Sequence, residues 1–182
     1  MDRAALVVCF EAMDRHLPAA ATLFIYGSAA FILLGEEGRT SLDLDVAGPY
    51  CSGGELDLRR AAEAAGVPVN PDESYAGDHL EWVGPLRLCL GRPDPATDLV
   101  LWSGRRLTVK TVAAARLAAS KLIRYDETDQ ADIRFLVHQS GVTADDVARA
   151  VADLPAAFAR DPLVHENLAN LRTDLALWEG SP

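Results

Sequence analysis

The sequence has few cysteines, no long apolar run and fewer bases than acids, and each shortage excludes a class of protein. Its three cysteines form no C-x-x-C pair, so reduced thiols are expected rather than a disulfide framework or a zinc site. No apolar run reaches the roughly 18 residues of a membrane span, and the N-terminal stretch lacks a signal-peptide pattern. We therefore expect a cytoplasmic protein without a membrane partner. A net charge of −10 argues against a general nucleic-acid coat.

The composition that remains is typical of a globular protein. Of the 182 residues, 49% are hydrophobic and 24% charged, which is enough apolar material for a core. No internal repeat or long linker interrupts the chain. We predict a single domain over residues 1–182, with an α/β core at about 20–110 and a helical part at about 111–182.

Hydrophobic periodicity and turn residues predict an α+β fold. Helices are expected at 3–16, from 28 or so up to Gly35, and at 55–65, and strands at 21–27 and 41–48. Three further candidate strands are HLEWV, LRLCL and DLVLW, with SGRR as a hairpin turn before LTVKTV. Four more helices are predicted at about 112–124, 129–139, 144–153 and 162–178.

Two aspartates share one face of the predicted strand SLDLDVAG. Asp43 and Asp45 alternate with apolar residues, so their side chains point the same way and their Cα atoms lie about 6.6 Å apart. Two like charges on one face repel each other unless a cation shares them. Mg²⁺ prefers a few carboxylates together with water and substrate phosphates. A solvated strand face is the plainer interpretation of the same pattern.

Gly27 and Ser28 stand where a predicted strand meets a helix. Glycine lets the backbone approach a ligand closely, and the N–H groups at a helix N-terminus favour phosphate. Ser28 adds a hydroxyl, or serves as the helix cap. A Gly-Ser pair after a strand is also consistent with an ordinary turn.

The ordered combination of strand, Gly-Ser, short helix, Arg-Thr-Ser and Asp-Leu-Asp resembles the opening motif of the polymerase-β-like nucleotidyltransferase superfamily. Fourteen residues separate Ser28 from Asp43, somewhat more than that motif usually has. The stretch RTSLDLDV looks most like the small prokaryotic branch of minimal nucleotidyltransferases and AbiEii-type toxins. The resemblance implies a nucleotidyltransferase-like mixed β-sheet flanked by helices, with a helical C-terminal half.

The segment LAASKLIRYDETDQADIRFL (117–136) is similar to an AbiEii-type pattern, in which a helix ends in lysine and an R-D-x-x-D element follows. The resemblance makes Lys121 the active-site lysine, and Asp129 or Asp132 the helical acid after it. A helix-borne lysine can neutralise triphosphate charge as a point cation. Two plainer roles stay open: Lys121 complements the carbonyl end of its helix, and Asp129 caps the next one.

By this resemblance the protein transfers an NMP from an NTP to a hydroxyl group, with Mg²⁺ or Mn²⁺ as the metal. Asp43 and Asp45 would bind the metal, and with Lys121 they form the expected catalytic set. Gly27, Ser28, Thr40 and Lys121 are the expected nucleotide contacts. The implied acceptor is RNA, such as a tRNA 3′ end, or a protein hydroxyl, and the implied partner is a cognate antitoxin.

A third carboxylate usually completes this kind of site. Glu81 in HLEWV and Asp98 before LVLW are the two candidates, and neither lies in a recognisable motif. Without such an acid, the alternative is a catalytically inactive module of the same fold that binds a nucleotide or a protein. An acid from 78–98 within metal-bridging distance of Asp43 and Asp45 favours the enzyme.

Overall fold

Residues 1–179 are described by a computed structural model and form an α+β protein. The elements in chain order are α1 Arg3–His16, β1 Ala21–Phe24, α2 Gly27–Leu34, β2 Asp43–Ala47, a 3-10 helix Gly48–Tyr50, α3 Glu55–Ala64, β3 His79–Val83, β4 Leu99–Ser103, β5 Leu107–Thr111, α4 Ala114–Lys121, α5 Glu127–Ser140, α6 Ala144–Val151, α7 Ala156–Ala159 and α8 Pro162–Glu179.

The chain divides into two compact units. The first unit comprises Met1–Leu88 and Pro95–Thr111 and contains α1–α3 and β1–β5. The second unit comprises Cys89–Asp94 and the chain from Val112 onward, which forms α4–α8. The division at 111 falls where the sequence changes from β-rich to alanine-rich and helical.

In the first unit, β1 lies between two pairs of strands. It pairs in parallel with β5, which pairs antiparallel with β4, while β2 and β3 form a separate parallel pair. The residues directly after β1 join the two sets. The N–H of Ile25 donates to the carbonyl of Lys110 in β5 at 2.9 Å, and the N–H of Tyr26 donates to the carbonyl of Asp45 in β2 at 3.1 Å.

The apolar residues of the first unit form one core between the strands and α1, α2 and α3. Leu44 and Val46 of β2 and Leu80 of β3 are completely buried. Because each buried side chain of this kind contributes about 1.5–3 kcal/mol, this face of the strands is fixed inward. The alternate residues of β2 and β3 therefore point to the opposite face.

The second unit buries apolar side chains such as Ile133, Leu136 and Leu171, and helix caps and a few polar hydrogen bonds add to this. Gly141 ends α5 in the left-handed conformation, and Thr143 with Asp146 forms a capping box at the start of α6. The Tyr125 hydroxyl donates to Asp174 at 2.6 Å, and Asn167 Nδ2 donates to the Leu122 carbonyl at 2.8 Å. These bonds attach the α4–α5 connection to α8.

The α+β class and most of the predicted elements are confirmed. The LRLCL strand is wrong: Pro85 begins a turn instead, and Leu86 within it is 98% exposed. The short helix α7 was not predicted. No helix among residues 1–179 is long and apolar enough to cross a membrane.

Asp14 of α1 holds the hairpin between β4 and β5. Its Oδ1 accepts from the N–H groups of Arg106 and Leu107 at 2.6 Å each, and Oδ2 accepts from the N–H of Arg105 at 3.2 Å. Burial acts to raise the pKa of Asp14, but the backbone hydrogen bonds from these three residues outweigh it and lower the pKa.

We expect Asp14→Ala to lower the free energy of unfolding by about 1–3 kcal/mol near neutral pH, because three N–H groups lose their acceptor. A lowered pKa contributes stability above the unfolded value of about 4, and that contribution disappears as the pH falls through the folded value. Urea unfolding from about pH 7 to about pH 3 measures the difference in the free energy of unfolding between wild type and Asp14→Ala, and this difference should become smaller in acid. A difference that stays constant would contradict this assignment. Asp14→Asn, which keeps an acceptor oxygen, is the control.

Candidate functional site

Three carboxylates come together on the outward face of β2 and β3. One carboxylate oxygen from each of Asp43, Asp45 and Glu81 lies within 4.8 Å of the others. The strand register explains the grouping, since Asp45 is directly opposite Glu81 and Asp43 is opposite His79 in the parallel pair. All three acids are half-buried. Hard oxygen ligands at this spacing suit Mg²⁺ or Mn²⁺.

Neighbouring side chains orient two of these carboxylates. The Ser41 hydroxyl, itself buried, donates to Asp43 Oδ1 at 2.9 Å. Arg87 Nη2 donates to Glu81 Oε1 at 2.7 Å. The first bond orients Asp43 from within its own chain segment, and the second places a positive charge beside Glu81.

Gly27 lies against Asp45. The glycine has φ +62°, and a Cβ added to it would overlap Asp45 Oδ2. Both the left-handed backbone and the close approach require a residue without a side chain. Gly27 thus brings the N-terminus of α2 to the carboxylate cluster, as the predicted phosphate and metal sites require.

Ser28 is the second residue of α2 and not its cap. The N-cap is Tyr26, which makes no side-chain capping bond to the first turn. The capping role considered for Ser28 is therefore wrong. Its Oγ instead accepts from Arg39 Nη2 at 3.0 Å, while Arg39 Nη1 pairs with Glu36 at 2.6 Å and the guanidinium lies 5.0 Å from the Phe31 ring centroid.

The Arg-Thr-Ser stretch contacts the site through its outer two residues. Arg39 bonds Ser28 and Ser41 bonds Asp43, whereas the predicted nucleotide contact Thr40 is exposed. Thr40 and Arg39 line a hollow of about 510 Å³ beside the end of α2. A role for Thr40 in nucleotide binding stays a prediction.

Lys121 belongs to the second unit, at the end of α4. Its Nζ lies 2.6 Å from Asp132 Oδ2 and 3.2 Å from Asp129 Oδ1, and both acids are almost fully buried. Arg124 also pairs with Asp129 at 2.9 Å. The cap of α5 is Asp126, so the capping role considered for Asp129 is wrong. A role of Lys121 toward phosphate stays a prediction.

The remaining candidates are the third acid of the cluster and the cysteines. Among the described residues, the acid grouped with Asp43 and Asp45 is Glu81, not Asp98. Cys9, Cys51 and Cys89 form no disulfide bond within the described residues. Burial raises the pKa of Cys51 to about 11, which leaves it protonated and a poor nucleophile near neutral pH.

Comparison with known proteins adds no relative. No protein-family model, curated protein or solved structure matches the chain. The case for a function therefore depends on the site geometry and the motif resemblance.

Sequence reasoning missed Arg39, Ser41 and Arg87. Ser41 had a usable signal, because it continues the period-two alternation of Asp43 and Asp45. Arg39 belongs with Ser41 to the Arg-Thr-Ser stretch of the motif, but its bond to Ser28 depends on the path of the loop. Arg87 had no signal, since it reaches Glu81 through the path of a turn.

We expect Gly27→Ala to destabilise the protein by about 1–3 kcal/mol and to weaken metal binding, because the new methyl group is strained at this φ and displaces the Asp45 carboxylate. Gly38→Ala is a matched control: it also replaces a glycine at positive φ, but nothing lies within 4 Å of the added Cβ. Thermal melts and Mn²⁺ titrations of both variants separate strain from displacement. Equal metal affinity in the two variants would contradict the close approach.

Lys121→Met should lower the free energy of unfolding by about 3–5 kcal/mol, because it removes the cation shared by two buried carboxylates and leaves Asp129 paired with Arg124. Adding Asp132→Asn should recover part of that loss. Urea unfolding of the single and double variants measures the coupling. Strictly additive losses would show that the lysine does not compensate these acids.

Proposed function

We propose that this protein is an Mg²⁺-dependent nucleotidyltransferase that moves an NMP from an NTP to an acceptor hydroxyl. The supporting observation is the three-carboxylate cluster of Asp43, Asp45 and Glu81, with the N-terminus of α2 against it at Gly27. The carboxylate cluster alone, or the helix N-terminus alone, would not indicate this activity. Together, a helix end that favours anions and a cluster that favours cations suit a metal–triphosphate substrate.

The three carboxylates fit the metal by chemistry and spacing. Each supplies a hard oxygen, and their mutual repulsion without a cation gives them a reason to bind one. When bound there, Mg²⁺ would neutralise phosphate charge and polarise the phosphoryl oxygens. Mn²⁺ takes the same ligand set.

The protein's own groups would bind and orient the triphosphate and accept the proton of the acceptor hydroxyl. Gly27 and Ser28 offer backbone N–H groups from the start of α2 to phosphate oxygens. Arg39, which bonds Ser28 and pairs with Glu36, places its guanidinium at that end. A carboxylate of the cluster, Glu81 in our proposal, accepts the proton of the acceptor hydroxyl as the new phosphate ester forms and pyrophosphate leaves.

The acceptor is inferred only by resemblance: an RNA, such as a tRNA 3′ end, or a protein hydroxyl, with an antitoxin as partner. The inactive-module alternative depended on a missing third acid. Glu81 supplies an acid within the range 78–98 at metal-bridging distance, and this favours the enzyme.

Incubation with each labelled NTP, Mg²⁺ and total RNA or protein tests the proposal, and a labelled macromolecule identifies the acceptor class.

We expect Asp43→Asn, Asp45→Asn and Glu81→Gln to reduce transfer by about a hundredfold or more, because each removes a charged ligand at the developing phosphate charge. The same changes should leave the metal-free fold unchanged or more stable by up to about 1 kcal/mol, since they relieve repulsion. With ligand at a hundredfold excess over Kd, wild type should gain about 2.7 kcal/mol and the variants much less.

Thermal melts with EDTA, with Mg²⁺, and with Mg²⁺ plus each NTP measure these shifts. Glu63→Gln, an exposed change on α3, is the matched control and should behave as wild type. If wild type shows no shift with any nucleotide, or the variants shift equally, the carboxylates are not a metal site and the inactive-module alternative is preferred.

A further inference from the structure

Arg87 is directed onto the carboxylate cluster by a tight turn. After β3 ends, the N–H groups of Arg87 and Leu88 both donate to the carbonyl of Gly84 at 3.1 Å. The chain therefore doubles back, and the Arg87 side chain reaches Glu81 two residues before the end of β3. Leu86 in the same turn is 98% exposed, so this turn is open to solvent.

The pair between Arg87 and Glu81 does little for the fold. The arginine side chain is 74% exposed and the glutamate side chain 29% exposed. Ion pairs at this exposure contribute little to stability, because water and salt screen them. The guanidinium is therefore held at the cluster by a bond that breaks at low cost.

A guanidinium in this position suits phosphate recognition. Its contact with Glu81 uses Nη2, while the group as a whole presents five N–H donors in a planar fork that matches a phosphate. The oxygens of a metal-bound polyphosphate would lie next to the metal ligands, within reach of a side chain already bonded to one of them.

We propose that Arg87 is a phosphate-binding residue, which pairs with Glu81 in the free protein and binds the polyphosphate of a metal–nucleotide substrate. This inference rests on the proposed function. It gives Arg87 opposite effects on two ligands. Because Arg87 bonds one of the acids that would hold the metal, its positive charge opposes binding of the bare cation by roughly threefold to tenfold in water. The same charge favours a metal–polyphosphate complex, which is anionic.

The experiment compares wild type, Arg87→Gln, Arg87→Lys and the control Arg60→Gln, an exposed arginine of α3. Mn²⁺ alone and inorganic pyrophosphate in saturating Mg²⁺ are titrated separately by calorimetry. Arg87→Gln should bind Mn²⁺ about threefold to tenfold more tightly. It should bind magnesium pyrophosphate roughly tenfold more weakly, because a charge-assisted hydrogen bond is lost. Arg87→Lys should match wild type for Mn²⁺ and lie between the two for pyrophosphate, since its point charge cannot bind in a fork.

The opposite changes in the affinities for Mn²⁺ and for magnesium pyrophosphate distinguish a phosphate-binding role of Arg87 from a structural one. A merely structural arginine would change both affinities in the same direction, and that result would overturn the proposal, as would an unchanged pyrophosphate affinity in Arg87→Gln. Failure of the proposed function is recognised separately. If wild type transfers no NMP while the two affinities move in opposite directions, the enzyme proposal fails and Arg87 still binds phosphate. If transfer occurs and the affinities do not diverge, Arg87 alone is wrongly assigned.

Discussion

The parallel register of β2 and β3 is the constraint on which the candidate site depends. Direct pairing of Asp45 with Glu81 places their carboxylates side by side, although 35 residues lie between them in the sequence. The burial of Leu44 and Leu80 on the other face holds that register, because a slip of one residue would expose the apolar side chains and bury the acids. The hydrophobic core thus sets the spacing of the charged groups, and the carboxylates need no attraction to one another.

The acidic clusters of the two units differ in burial and in ion pairing. In the second unit, Asp129 and Asp132 are almost fully buried and share the lysine at the end of α4, so their charges are compensated within the protein. In the first unit the three carboxylates are half-buried, and one of them, Glu81, pairs with the exposed Arg87. The second cluster therefore has a cation from its own chain, whereas the first is the one that we propose binds a cation from solution.

The parts of this structure that were predictable from sequence follow short-range rules. The alternation in SLDLDVAG placed Asp43 and Asp45 on one face, and the Gly-Ser pair marked the start of α2. The choice of Glu81 over Asp98 was not predictable, because it depends on which strand pairs with β2 and in which register. The alternation of LRLCL predicts a strand that does not form, because the turn that begins at Pro85 includes Leu86 and Arg87 and leaves Leu86 exposed while Leu88 and Leu90 are buried.

The long spacing between Ser28 and Asp43 is compatible with a close site because the additional residues fold back on α2. After Gly35 ends the helix in the left-handed conformation, the loop returns toward the first turn, where Arg39 bonds the Ser28 hydroxyl. The same arginine pairs with Glu36 and stacks on Phe31, so three contacts fix one side chain. Ser41 then orients Asp43 as β2 begins. The loop therefore connects the N-terminus of α2 to the carboxylate cluster, and its length is taken up along the helix instead of separating the two.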